Sequence, residues 1–169
     1  MKKKTHLFLL VANGILVILG WVMAFYAYPR LPQEMPLWIN FFKQQVILTE
    51  KSPLFFLYPL VQTLFCFGFW WLSRVNFPVD LLTRKKEGLV LQRKNLIMSL
   101  RKEYIYLNLI FFNLIFIHLQ RSIIFLAHDI GKGVNKIYFI SVFIIILMLI
   151  PWYRLRKRLL IHKSGRGRV

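Results

Sequence analysis

His118 and Arg121 stand three residues apart in an apolar run, close enough in helical angle to face one environment. An imidazole in apolar surroundings can ligate haem iron or a chlorophyll magnesium, and a neighbouring guanidinium can pair with a propionate or phosphate. These two residues are the candidate cofactor contacts of the chain. A rise of about 1.5 Å per residue from Tyr104 sets them in the outer part of a bilayer, where an arginine can instead snorkel to the headgroups. His128 and Asp129, at the end of the same run, read as a surface pair.

The apolar runs also carry neutral polar and small residues at helical spacing. Asn13, Val17, Gly20, Ala24 and Ala27 share one face of a first helix, and Tyr58, Gln62, Cys66, Phe69 and Ser73 share a face of a second. Tyr106, Asn113, Ile117 and Gln120 form a stripe on a third. Between membrane helices, small residues allow close approach and amides hydrogen-bond across the gap. Asn13, Gly20, Ala24, Gln62, Asn113 and Gln120 are therefore expected to hold a small bundle together around a partly polar centre.

Reactive groups are scarce. The six acids, Glu34, Glu50, Asp80, Glu87, Glu103 and Asp129, lie outside the apolar runs, whereas ion-coupled carriers place carboxylates at membrane depth. No Ser-His, Cys-His or metal-ligand pairing stands out, and there is no Gly-rich phosphate loop. The single cysteine, Cys66, has no partner for a disulfide and no zinc-ligand spacing. The expectation is a protein that is not an enzyme.

Positioning these residues requires helices that cross a membrane. A composition 57% hydrophobic exceeds what a soluble core of 169 residues can hide from water. Four segments approach the roughly 20 apolar residues that span a hydrocarbon core: about 7–28, 53–72, 104–126 and 137–153. The first follows Lys2, Lys3 and Lys4 and resembles a signal peptide with a weak Val22-Met23-Ala24 cleavage site, but its run outlasts an h-region and is expected to stay as a helix. Most of the 24 cations precede the first segment, lie in the inner loop at 74–103, or follow the fourth in a basic tail at 154–169. Retention of positive charge on the cytoplasmic side then puts both termini inside. The same placement accounts for the cations without nucleic acid as a partner. The expected fold is an all-α integral membrane four-helix bundle forming a single transmembrane domain.

Two loops carry structure of their own. In the outer loop, 29–52, Pro29, Pro32 and Pro36 impose extended backbone, so this segment is expected to be ordered. Trp38, Phe41, Phe42, Val46 and Leu48 give it apolar surface to lie in the membrane interface or cap the bundle; an irregular connector is the plainer alternative. In the inner loop, Leu89, Leu96, Ile97 and Leu100 recur at helical spacing among Arg93, Lys94, Arg101 and Lys102. This basic amphipathic segment can lie on anionic lipid, continue into the third helix, or simply be a solvated loop that sets topology.

Tyr28-Pro29-Arg30-Leu31-Pro32, then Met35-Pro36, Asn40, Lys51 and Pro59, resemble a bacterial family of small membrane proteins that includes the SdpI-type toxin-immunity proteins. That family has Tyr-Pro-x-Leu-Pro, an Ile-Pro-x-His stretch, a Gly, and a Lys and Pro leading into the next helix. This chain has Trp38 in place of the His and Lys43 in place of the Gly. The resemblance covers about residues 25–62 and implies a bacterial cytoplasmic membrane and four-helix architecture.

Three functions are compatible with these residues. The first is a non-catalytic accessory or assembly subunit that binds other integral membrane proteins through helix faces, with anionic lipid at its inner surface. The second is an immunity or signalling protein of the SdpI type that recognises a toxin or peptide through the outer loop. The third is a cofactor-carrying subunit for electron transfer or light capture, with a haem or chlorophyll-type pigment on His118.

Overall fold

The computed structural model describes residues 2–39, 46–75, 87–130 and 135–166, with side chains for 4–37, 48–75, 95–130 and 135–159. Trp38, Val46, Leu89, Arg93 and Lys94 therefore contribute backbone only. Asn40, Phe41, Phe42, Lys43, Arg84 and Asp80 lie outside the described residues.

Four helices carry the fold: α1 (Lys2–Ala27), α2 (Leu57–Arg74), α3 (Glu87–Ala127) and α4 (Lys136–Arg166). Each, with the adjoining 3-10 turn for α1 and α2, supplies a stretch long and apolar enough to cross a membrane: Lys4–Arg30, Pro53–Arg74, Asn95–Ala127 and Lys136–Leu159. A short 3-10 turn, Tyr28–Arg30, closes α1, and another, Pro53–Phe56, opens α2. Ser52 Oγ accepts from the Leu54 amide at 3.3 Å there, satisfying one of the donors that a helix start leaves open.

α3 is the hub. It packs against α1, α2 and α4, whereas α4 is held mainly by α3. From Leu89 to Ala127 it contains neither Gly nor Pro, so nothing interrupts its hydrogen-bond ladder. It therefore begins at Glu87, not near 104, and absorbs the basic amphipathic segment as its own first turns. Ile97 and Leu100 of that segment are buried. At about 1.5 Å per residue, a helix of 41 residues is roughly twice as long as a hydrocarbon core is thick, so its start projects beyond the apolar stretch.

α4 likewise runs past the expected end at 153 and continues through the basic tail to Arg166. Pro151 sits inside it, where the missing N–H deprives the Leu147 carbonyl of its usual helical partner. The C-terminal end of α3 closes on Asp129, whose φ of 54° turns the chain while the Ile130 amide donates back to the Phe125 carbonyl at 3.0 Å.

The segment between α1 and α2 contributes the two strands of a β-hairpin, an element beyond the all-α expectation. β1 (Glu34–Ile39) pairs antiparallel with β2 (Val46–Glu50), with Glu34 opposite Glu50 and Met35 opposite Thr49. Met35 and Leu37 point inward and join Ala24, Leu31, Phe55 and Ile123 in a buried cluster; Leu48, on β2, is exposed. The prolines suit this arrangement because Pro36 and Pro32 need no helix, and the pairing of Pro36 with Leu48 lies in a sheet of two strands, which is all edge.

Candidate functional site: the polar seam and the His118 contact

A seam of amides runs along α1, between α3 and α2. Asn13 on α1 donates from Nδ2 to the Leu9 carbonyl at 2.8 Å and to the Tyr106 carbonyl of α3 at 3.1 Å. Its Oδ1 accepts from Asn113 Nδ2 at 2.8 Å. Two turns further on, Gln120 Nε2 donates to the Gly20 carbonyl at 3.2 Å, and Gln62 Nε2 on α2 donates to the Leu16 carbonyl at 3.1 Å. Asn13, Gln62, Asn113 and Gln120 are all fully enclosed, as is Ala24.

Gly20 is the reason the seam closes. The Gln62 side-chain amide lies against its Cα so closely that a methyl group there would run into Gln62 Oε1, with Gln62 Cδ only 3.3 Å from the same position. α1 and α2 thus approach at a residue without a Cβ, as small residues permit between membrane helices. Trp21 Nε1 donates to Thr63 Oγ1 at 3.0 Å beside it, a link between the same two helices.

The seam is polar but not reactive. Neutral amides neither transfer protons nor attack a substrate, and no group of three His, Cys, Asp or Glu among the described residues is placed to hold a metal ion. Gln62 Oε1, Asn113 Oδ1 and Gln120 Oε1 find no donor among the described residues. The arrangement joins α1, α2 and α3 and fixes their register.

His118 lies on another face of α3, toward α4. Its ring stacks on Tyr138 with centroids 4.0 Å apart and an interplanar angle of 27°, and meets Phe139 edge-on at 5.4 Å. Tyr138 OH donates to the Leu114 carbonyl at 3.3 Å, tying α4 to α3 a turn away. His118 Nε2 is buried without a hydrogen-bond partner among the described residues. A metal needs the imidazole nitrogen at the edge of an open coordination position. Here Nε2 is covered by the protein, within the aromatic contact between α3 and α4.

Arg121 goes elsewhere. Its guanidinium carbon lies 4.8 Å from the Phe125 ring centroid, on the exposed flank of α3. The described partners of His118 and Arg121 are thus different: one belongs to the α3–α4 contact and the other stacks along its own helix.

Several further links join residues to which the sequence assigned no partner. Lys51 Nζ donates to the carbonyls of Leu31 at 3.0 Å and Pro29 at 3.3 Å, and Tyr58 OH donates to Leu37 at 2.7 Å, so the hairpin is fastened to the chain on both sides. Lys51 is also 5.1 Å from the Tyr28 ring. At the other end of the bundle, Tyr106 OH and Ser73 Oγ share a hydrogen bond at 3.0 Å, and the Tyr104 and Tyr153 rings meet at a tilt of 34° with centroids 4.8 Å apart. Spacing placed Tyr58, Ser73 and Tyr106 on packing faces, but a lysine or tyrosine reveals its partner only once the fold supplies it.

No family model, curated protein or solved structure matches this chain.

Proposed function

We propose that this chain is an integral membrane protein of the bacterial cytoplasmic membrane, with four spans and both termini inside, that serves as a non-catalytic accessory or assembly subunit. The observation that carries this reading is the position of α4. Its apolar stretch is 6% buried, against 28% for that of α3, and one neighbour holds it. Ile140, Phe143, Ile144, Leu147 and Met148 fall at helical spacing on its uncovered side, each about half exposed or more. A peripheral helix with an apolar face several turns long offers a partner helix a docking stripe without disturbing the seam that holds α1, α2 and α3.

A photo-crosslinking residue at Phe143 or Met148, in the native membrane, tests the partner. Discrete adducts in a fixed ratio are expected from these positions and not from Gly14 on α1. Adducts to lipid alone would remove the subunit reading. Orientation is tested separately in a Cys66→Ser background: an impermeant maleimide added to intact cells should label a cysteine at Glu34 and spare one at Lys4.

The immunity reading draws on the hairpin, an ordered outer element anchored through Lys51 and Tyr58. Protection of toxin-sensitive cells on expression would favour it, and its absence against a panel of related toxins would count against it.

A further inference from the structure

Hydrogen bonds bring the cation-rich ends of all four helices to one level of α3. His6 Nε2 lies 3.0 Å from the Ser99 carbonyl, placing the start of α1 beside residue 99. Arg101 donates to the Leu72 and Val75 carbonyls at 3.3 Å each, which sets the end of α2 beside residue 101. Arg156 pairs with Glu103 at 2.7 Å, which brings α4 to the same place. Lys4, Arg74, Arg101, Lys102 and the basic residues of 154–158 thus share one end of the bundle, and Glu103 is the only carboxylate there among the described side chains. The opposite end mixes Arg30, Lys51 and Lys136 with Glu34, Glu50 and Asp129.

Aromatic residues stand just inside this cationic end. The Arg74 guanidinium lies 4.1 Å from the Trp70 ring and that of Arg156 4.9 Å from the Trp152 ring, so two arginines rest on indoles at the border between apolar and charged surface. Trp71 is two-thirds exposed beside them. Indoles at headgroup level with cations immediately beyond them match the depth profile of a membrane interface.

We infer that this end of the bundle binds anionic phospholipid headgroups, with Arg154, Lys157 and Arg158 of α4 as principal phosphate contacts. The inference rests on the membrane reading above. Arg156 is engaged by Glu103 and Arg101 by the end of α2, whereas Arg154 and Arg158 are exposed on the continuation of α4. A charge excess of this kind favours an anionic leaflet over a zwitterionic one, because each cation near the surface adds to the attraction. Arginine also forks two donors toward a phosphate.

The full chain is reconstituted in nanodiscs of phosphatidylglycerol and phosphatidylcholine with matched acyl chains, released into mild detergent, and its retained lipids are quantified by mass spectrometry. Enrichment of phosphatidylglycerol is expected, reduced at least about fivefold in the Arg154→Gln, Lys157→Gln, Arg158→Gln variant, the factor that one cation near the surface contributes. The Arg154→Lys, Arg158→Lys variant should keep most of it, which separates charge from folding. Equal retention of both lipids by the unaltered chain would overturn the headgroup assignment and leave membrane insertion standing. A chain that retains neither lipid and fails to enter the discs would overturn both. Displacement of phosphatidylglycerol by single-stranded RNA at equal phosphate concentration would overturn the lipid assignment in favour of a soluble polyanion.

Discussion

Asn113 Nδ2 on α3 donates to Asn13 Oδ1 on α1 at 2.8 Å, and Asn13 in turn donates to the Tyr106 carbonyl of α3 at 3.1 Å. The two helices therefore exchange hydrogen bonds in both directions at a point where both amides are fully enclosed. Buried there, neither amide can replace a lost partner with water, so this exchange selects one rotation of α1 against α3.

A double-mutant cycle with Asn13→Leu and Asn113→Leu measures that link. The coupling between the pair should be about 0.6 kcal/mol and at most about 1.7, the average and the maximum for hydrogen bonds between membrane helices. Reversible unfolding in bicelles is the readout. Additive losses would mean that the two amides do not meet.

Gly20 and Gln62 should be coupled as well. Gly20→Ala alone places a methyl against the buried Gln62 amide and destabilises the α1–α2 contact. Gln62→Ala alone removes the bond to the Leu16 carbonyl and leaves a void. In the double variant the new methyl occupies part of that void, so its loss should fall short of the summed losses by about 1 kcal/mol. A sum that holds within error would place Gln62 away from Gly20.

The seam was legible in the sequence because amides and small residues recur at helical spacing on otherwise apolar faces, a pattern that needs no knowledge of the fold. Asn13, Gln62, Asn113 and Gln120 all lie where helix meets helix. The hairpin was less legible. Its prolines announced extended backbone, but strand pairing is decided by what Met35 and Leu37 bury against, and those partners, Ala24, Phe55 and Ile123, come from three separate segments. The start of α3 was obscured by charge: Arg101 and Lys102 mark the end of an apolar run, yet the backbone continues as helix through them because charged residues with long side chains are good helix formers. The partner of His118 was likewise out of reach, since Tyr138 lies on another helix.

The hairpin should loosen when its anchors are cut. Tyr58→Phe removes the bond to the Leu37 carbonyl and should cost about 1 kcal/mol, whereas Lys51→Met removes two carbonyl contacts and should cost more. Amide hydrogen exchange in residues 34–37 and 48–50 should accelerate in that order. Unchanged protection in Lys51→Met would show that the strands stand without it.

The ion pair between Glu103 and Arg156 should matter little to stability. Both side chains are partly exposed, 21% and 44%, and exposed pairs contribute at most about 1 kcal/mol. Glu103→Gln is expected to shift unfolding by less than that and to lose its effect in high salt. A larger loss would mean that the pair is shielded by neighbouring side chains.

Two substitutions separate His118 as a packing residue from His118 as a ligand. Its ring lies flat against Tyr138 at 4.0 Å, and its buried Nε2 has no partner among the described residues. Replacing an unsatisfied polar atom by apolar surface of similar shape is close to neutral or stabilising. His118→Phe should therefore keep α3 and α4 together with unchanged or slightly raised stability, while His118→Ala loses the ring contact, worth about 0.5–1.5 kcal/mol beyond burial. A ligand role predicts the reverse for phenylalanine, since it packs as well as histidine but cannot coordinate. If protein purified from its native membrane shows a visible absorption band that His118→Phe abolishes, the packing assignment fails and the nitrogen must reach a metal in the native protein.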